Sequence, residues 1–393
     1  MVDALLIVGV LVSMFVAYNV GGSTTGPAFG PAVGAGAIGK TTAALLMTVF
    51  FFVGAWTIGR EVVETLGTGL ISDASVFTLE TSIGVLFFIG IALFVGNVFG
   101  VPASTSMTAV GAIAGLGLAS NSLRLSTMAA IATWWIVAPV IGFWVSLIIG
   151  RYFYPQINKM VAIDPSDESA IEVDRSGLLP IPRIAPGASR REAIGVVTVV
   201  VIGCLMAFSS GTSNIANAIA PLVGSDVIDM NPAILIGCIA VGIGTFTIAR
   251  RTLETMGSDI TELPLTAAIV VATVSSGLVI FLSAIGIPAS FVVIATMSIV
   301  GLGWGRATRP VTVPEAVGGD GETPRVSVGA LAADEEGEEI PPIGEEDPQE
   351  IPSAADLFDP GTTARVVLMQ NVVPVIATIG AYLTFRFVPI FGL

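Results

Sequence analysis

Histidine is absent from the 393 residues of this chain. That removes the side chain that most often shuttles protons near neutral pH, and with it most ligand sets that hold zinc. Cysteine occurs only as Cys204 and Cys238, each inside an apolar run with no ligand set around it. Both read as small packing residues, and no metal site or cofactor is expected. Charge is scarce too: 12% of residues are charged, where an ordinary soluble domain has about a quarter. With no histidine, no metal-ligand cluster and no nucleophile–base pair, the sequence does not support an enzyme, and no nucleic-acid partner is expected.

What the chain has instead is hydrocarbon. It is 53% hydrophobic, with a mean hydropathy of +0.89. Apolar runs recur at 4–20, 41–58, 82–99, 128–150, 193–208, 231–249, 263–284 and 364–387. Several approach the roughly 20 residues that carry a helix across a bilayer. The expected class is an all-α polytopic protein of the cell membrane, seated in lipid. The first run has no basic leader, Asp3 being its only early charge, and no cleavage motif follows in a polar context. It reads as the first membrane helix, not a signal peptide.

The net charge is −14, and residues 311–360 hold fourteen acidic side chains against one arginine, Arg325. Rich in Gly, Pro and Glu, that stretch cannot bury a core and reads as a solvated, disordered loop. Acidic solvent loops on an otherwise ordinary membrane core suggest a salt-loving, halophilic archaeal host; a plain acidic linker is the other reading. The sparse basic residues Arg151, Lys159, Arg183, Arg190 and Arg191 surround the polar segment 151–190, which places it on the cytoplasmic side.

Two stretches share a pattern. GGSTTGPAFGPAVG at 21–34 and GTSNIANAIAPLVG at 211–224 align at a constant offset of 190. Gly21 meets Gly211, Ser23 meets Ser213, Ala28 meets Ala218 and Pro31 meets Pro221. The same offset aligns REVVETLG at 60–67 with RRTLETMG at 250–257, and VPAS at 101–104 matches IPAS at 287–290 at a slightly shorter one. Three blocks in the same order point to an internal duplication. The expected organisation is a repeat at 1–150, a linker at 151–190, a second repeat at 191–310, the acidic loop at 311–360 and a final helix at 361–393. An odd number of crossings per half gives two inverted repeats, roughly 10–12 membrane segments in all, some broken or re-entrant. Repeated Arg60/Glu64 and Arg250/Glu254 read as i,i+4 pairs near helix ends.

Gly/Pro-interrupted apolar segments at matching places in two halves mark binding sites in secondary transporters. Glycine-rich turns and helix starts expose backbone N–H groups and a positive dipole end, and serine and threonine add donors. The expected site is an oxyanion cage broken into both segments. Ser23, Thr24 and Thr25 come from one side and Ser213, Asn214 and Asn217 from the other, with Ser104, Thr105 and Ser290 next. The same oxygens could hold a coupling cation, sodium or a proton. The competing reading is close helix packing through small residues, which for Gly30, Gly34 and Gly36 weighs at least as much. A channel would need a continuously lined pore, which the paired segments do not suggest.

These residues resemble the inorganic phosphate transporter family, which includes sulfate permeases. That family carries a Gly-Ala-Asn-Asp-x-Ala-Asn-Ala-x-Gly-type signature in each half. GTSNIANAIAPLVG is similar to the second copy and GGSTTGPAFGPAVGAG to the first. GVPASTSM at 100–107 and GIPASFVV at 286–293 look like degenerate Gly-x-Pro-x-Ser-Thr-Thr-His segments. The resemblance covers all but the polar loops and implies cation-coupled symport by alternating access, with a homodimer left open. Where the family has Asn-Asp, this chain has Ser23-Thr24 and Ser213-Asn214. The family's later asparagine is Pro27 in one copy and Asn217 in the other, and its histidine is Met107 or Val293. Both paired acidic positions are thus neutral, leaving no carboxylate there for ion coupling. Hydrogen phosphate can donate to a carboxylate while sulfate only accepts, so residue chemistry pulls towards sulfate. Family frequency pulls towards inorganic phosphate, which is the first expectation, with sulfate the alternative.

Overall fold

The computed structural model describes residues 4–34, 37–98, 104–161, 171–174, 181–184, 190–249, 265–308 and 360–388. The expected acidic loop, the repeated block at 250–257 and most of the 101–104 block therefore lie outside the described residues. What is described is almost entirely helical. Five helices are long and apolar enough to cross a membrane, and a sixth span results if the helices on either side of a 63° bend count as one.

The first long helix, α1, runs from Ala4 to Gly34 without interruption, through Pro27 and Pro31. After it come α2 (Lys40–Trp56) and α3 (Gly59–Glu64), which continues as a π-helical turn to Gly69. Next are α4 (Leu79–Val98), α5 (Thr105–Ala119) and α6 (Leu125–Ile148). A second π turn, Ile149–Phe153, leads from α6 into α7 (Tyr154–Val161). The remainder comprises α8 (Arg190–Gly224), α9 (Met230–Gly244) with its own π turn to Ala249, α10 (Leu265–Ala284), α11 (Phe291–Ala307) and α12 (Pro360–Phe387). The segment 151–190 has secondary structure of its own. It includes α7 and an antiparallel strand pair, Ile171–Asp174 with Ile181–Ile184, in which Ile171 faces Ile184.

The expected breaks at 21–34 and 211–224 are not there: both stretches are helix, inside spans of 31 and 35 residues. At 1.5 Å per residue these are about 46 and 52 Å long, more than the roughly 30 Å hydrocarbon core. The reason is local. Serine and threonine inside a helix can turn back onto carbonyls of the preceding turn. Ser23 and Thr24 both donate to the Val20 carbonyl and Thr25 to that of Gly21, so these hydroxyls are held within the helix's own bonding. Proline in such a helix is tolerated when neighbouring helices enclose it.

The glycines let backbones meet. A Cβ on Gly21 would fall 2.2 Å from the Val241 carbonyl oxygen, and one on Gly211 2.1 Å from that of Phe51. A Cβ on Gly54 or on Gly244 would fall equally close to the carbonyl oxygen of Phe208 or of Tyr18, at 2.1 Å. In this way α1 packs on α9, and α2 on α8. Helices α1 and α8 also touch directly and run antiparallel. Ser13 donates to the Ala218 carbonyl at 2.7 Å, Gly9 faces Leu222, and Gly203 faces Phe29.

A break does occur before α11. Helix α10 ends in a turn closed by Gly286 N to the Ser283 carbonyl and Ile287 N to that of Leu282. Gly286 has φ +72, a left-handed conformation that favours glycine at a helix end. Pro288 cannot resume the helix at once, and Ser290 caps the next one, accepting from Val293 N. Ser104 caps α5 in the same manner, accepting from Met107 N. Two short helices thus begin inside the protein, at places where the sequence repeats Pro-Ala-Ser.

Candidate functional site

The starts of α5 and α11 meet the middle of α8. From α5, Thr105 donates to Asn214 Oδ1 at 2.7 Å, and Ser106 Oγ lies 3.2 Å from Ser213 Oγ. The Ala289 carbonyl, in the extended connector before α11, accepts from Ser213 at 2.8 Å and from Ser106 at 3.0 Å. Ala289 N returns a longer bond to Ser213 Oγ, 3.3 Å. One turn along α8, Asn217 Nδ2 donates to Asn214 Oδ1 at 3.2 Å, and Asn214 Nδ2 donates to Ser210. Trp135 of α6 fixes the connector from the other side, donating from Nε1 to the Pro288 carbonyl at 2.9 Å.

Ser104, Ser106, Ser213, Asn214, Asn217 and Ser290 are all buried. A buried polar group costs free energy unless it is bonded, and every one of these is, except for one atom: Asn217 Oδ1 makes no hydrogen bond. The cluster is neutral. Two helix N-termini beside it supply partial positive charge, so it can accept an anion among donors or share its oxygens with a small cation.

Of the residues singled out from sequence, the structure brings together Thr105, Ser213, Asn214 and Asn217, with Ser104 and Ser290 as the caps of the two helices. It does not join Ser23, Thr24 and Thr25 to them by any hydrogen bond among the described residues. Besides its own helix, Thr25 reaches only Thr245 Oγ1, at 3.4 Å, on the π turn after α9. The segment 21–34, expected to form one side of a cage, thus makes no hydrogen bond to this cluster among the described residues. The first-copy counterpart of the 285–289 connector is at 99–103, outside the described residues.

The sequence reading missed Ser106, Ser210, Trp135 and the Ala289 backbone. Ser106 directly follows Thr105, and Ser210 lies four places before Asn214 on one helix face, so adjacency and helical spacing could have found both. A backbone carbonyl carries no such signal. Met107 and Val293, where the resembling family has histidine, line one small apolar recess with Trp134, Trp135 and Ser290. The expected Arg60/Glu64 pair is replaced as well: Arg60 donates to Asn231 Oδ1 at 2.6 Å and to the Trp56 carbonyl. Its guanidinium stacks on the Trp56 ring at 4.6 Å, a contact available one turn back that draws it away from Glu64.

Comparison with known proteins agrees with this architecture. A sulfate permease of Bacillus subtilis, CysP, is 31% identical over 298 residues, covering 76% of this chain and 77% of its own. A protein of Pyrococcus horikoshii named as a "putative phosphate permease" is 24% identical, covering 79% of this chain and 91% of its own. The solved structure of a sodium-dependent phosphate transporter superposes with a TM-score of 0.66 at 17% identity, covering 98% of this chain and 100% of that one; at that identity the likeness is one of fold. The sequence profile described as the phosphate transporter family matches residues 20–319. The chain is a multi-pass membrane protein that belongs to the phosphate transporter family.

Proposed function

We propose that the protein is a secondary active transporter of a tetrahedral oxyanion, with sulfate as the preferred substrate. The observation that carries this is the neutral cluster of hydroxyl and amide groups of Thr105, Ser106, Ser213 and Asn214 at the starts of α5 and α11. A fully ionised anion that only accepts hydrogen bonds suits hydroxyl and amide donors beside two helix N-termini. The 31% identity to a sulfate permease supports the same choice. Phosphate is the second reading, favoured by the description of the family and by the phosphate permeases among its relatives.

Transport by alternating access between two inverted halves is supported by the packing. Pairs of glycine contacts recur at the 190-residue offset, and α1 and α8 run antiparallel. The N-terminal ends of α5 and α11 approach α8 from two such halves, and their relative movement would open the cluster to one face at a time. For coupling we propose cation symport, with sodium or a proton as the driver. The bare Asn217 Oδ1 is an oxygen that a cation could use.

The test is uptake of labelled sulfate and labelled phosphate into proteoliposomes, with imposed sodium and proton gradients. Sulfate uptake that excess phosphate leaves untouched is the expected result. Phosphate uptake that excess sulfate leaves untouched would transfer the assignment to the second reading. Uptake independent of both gradients would remove the coupling.

A further inference from the structure

We propose that Arg151 and Arg306 form a second oxyanion site, at the membrane interface and apart from the transport cluster, that takes a phosphate-type group. Such a group is either the phosphodiester of an anionic lipid or a free inorganic oxyanion. Arg306 stands in the last turn of α11 and is only 5% exposed, yet its Nη1 has no hydrogen-bond partner. Arg151, in the π turn after α6, likewise has a buried Nε without one.

The backbone holds the two arginines side by side. A Cβ on Gly305 would lie 3.0 Å from Arg151 N, and one on Gly150 3.3 Å from Arg306 N. Each guanidinium rests on a tyrosine: Arg306 over Tyr154 at 4.2 Å and Arg151 over Tyr152 at 5.7 Å. Neither pairs with a carboxylate among the described residues.

An arginine at a helix C-terminus is favoured by the dipole, and stacking on tyrosine adds to that. Neither interaction fills a vacant N–H. A buried donor left unsatisfied is costly, and a guanidinium fork matches the oxygens of a phosphate or sulfate group. The depth is also set by neighbours. Tyr152 and Phe153 are more than half exposed, as aromatic side chains at headgroup level are. Behind them, Thr266 Oγ1 donates to Asn158 Oδ1, tying α7 to α10. The site is remote from the transport cluster, since Arg306 lies sixteen positions after Ser290, about 24 Å along the helix.

The experiment measures thermal unfolding of the full-length protein in detergent. It is titrated separately with phosphatidylglycerol, with phosphatidylcholine, and with sodium phosphate or sulfate at fixed ionic strength. We expect phosphatidylglycerol to raise the midpoint of the native protein by about 3 °C and phosphatidylcholine not to. Arg306→Gln should bind at least about tenfold more weakly. Ser213→Ala, changed in the transport cluster, should keep the native response to the lipid.

A rise with the lipid alone identifies a headgroup as the occupant. A rise with the inorganic anions that requires Arg306 identifies a soluble oxyanion. If Arg306→Gln does not fold, Arg151→Gln is measured in its place, and retention of phosphatidylglycerol through purification is compared by mass spectrometry. Equal responses of the native protein and the arginine variant to every titrant overturn the proposal.

Discussion

Ser213 already spends its hydroxyl on the Ala289 carbonyl and on Ser106, so its first task is to hold the connector before α11 against α8. Ser213→Ala leaves Ser106 as the remaining donor to that carbonyl. One lost hydrogen bond of about 1 kcal/mol should lower the melting temperature by a few degrees and raise the half-saturation concentration for sulfate roughly fivefold. A fall in stability with unchanged uptake would mean that Ser213 only packs. Asn214 tests the choice of anion itself. Asn214→Asp puts a carboxylate where the resembling signature has one, beside Thr105 and Asn217. A carboxylate repels sulfate but accepts the proton of hydrogen phosphate. We expect the ratio of sulfate to phosphate uptake to fall by tenfold or more, read from competition between the two labelled anions. An unchanged ratio would detach Asn214 from substrate choice.

The glycines of α1 and α8 separate two uses of one residue type. A methyl group at Gly211 would meet the Phe51 carbonyl oxygen at 2.1 Å, backbone that cannot move aside. Gly211→Ala should therefore force α2 from α8 and cost about 3 kcal/mol or more, seen as loss of folded protein by size-exclusion chromatography. Gly30 has nothing within 4 Å of such a methyl, and Gly30→Ala should be neutral or raise the melting temperature, since alanine favours helix by about 1 kcal/mol over glycine. The contrast explains what could be read beforehand. Hydropathy located most of the membrane helices, and the repeated Pro-Ala-Ser blocks located the two caps, Ser104 and Ser290. The stretch GGSTTGPAFGPAVG read as a break because glycine, proline and hydroxyls are turn-formers in water. In the protein those hydroxyls bond to the preceding turn and the glycines admit another helix, and both depend on neighbours that composition does not reveal. Ser213, Asn214 and Asn217 were legible because costly polar side chains stood in an apolar run, whereas the role of the Ala289 carbonyl depends on tertiary approach alone.

At the scale of the molecule, the proposed inverted arrangement makes a prediction about sides. Helix α5 ends at Ala119, and the chain turns through Asn121, with φ 55, into the start of α6. Helix α11 ends against the other end of α6, where a Cβ on Gly305 would lie 2.2 Å from the Leu147 carbonyl oxygen. Helices α5 and α11 therefore point in opposite directions relative to α6. Helix α5 packs on α12, where a Cβ on Gly115 would lie 2.7 Å from the Thr378 carbonyl oxygen, and α11 packs on α6, where one on Gly301 would lie 2.1 Å from that of Phe143. If α6 crosses the bilayer once, the C-terminal ends of α5 and α11 face opposite compartments. The free cysteines Cys204 and Cys238 are buried and can be changed to alanine to give a thiol-free background. In it, Ser126→Cys at the start of α6 should react with a membrane-impermeant maleimide from outside intact cells, while Thr308→Cys after α11 should react only once the membrane is opened. That polarity is the one expected from the basic residues around 151–190, because short loops rich in arginine and lysine tend to stay in the cytoplasm. Labelling of both positions from the same side would contradict the antiparallel order of α5 and α11, and with it an alternating-access cycle built on two inverted halves.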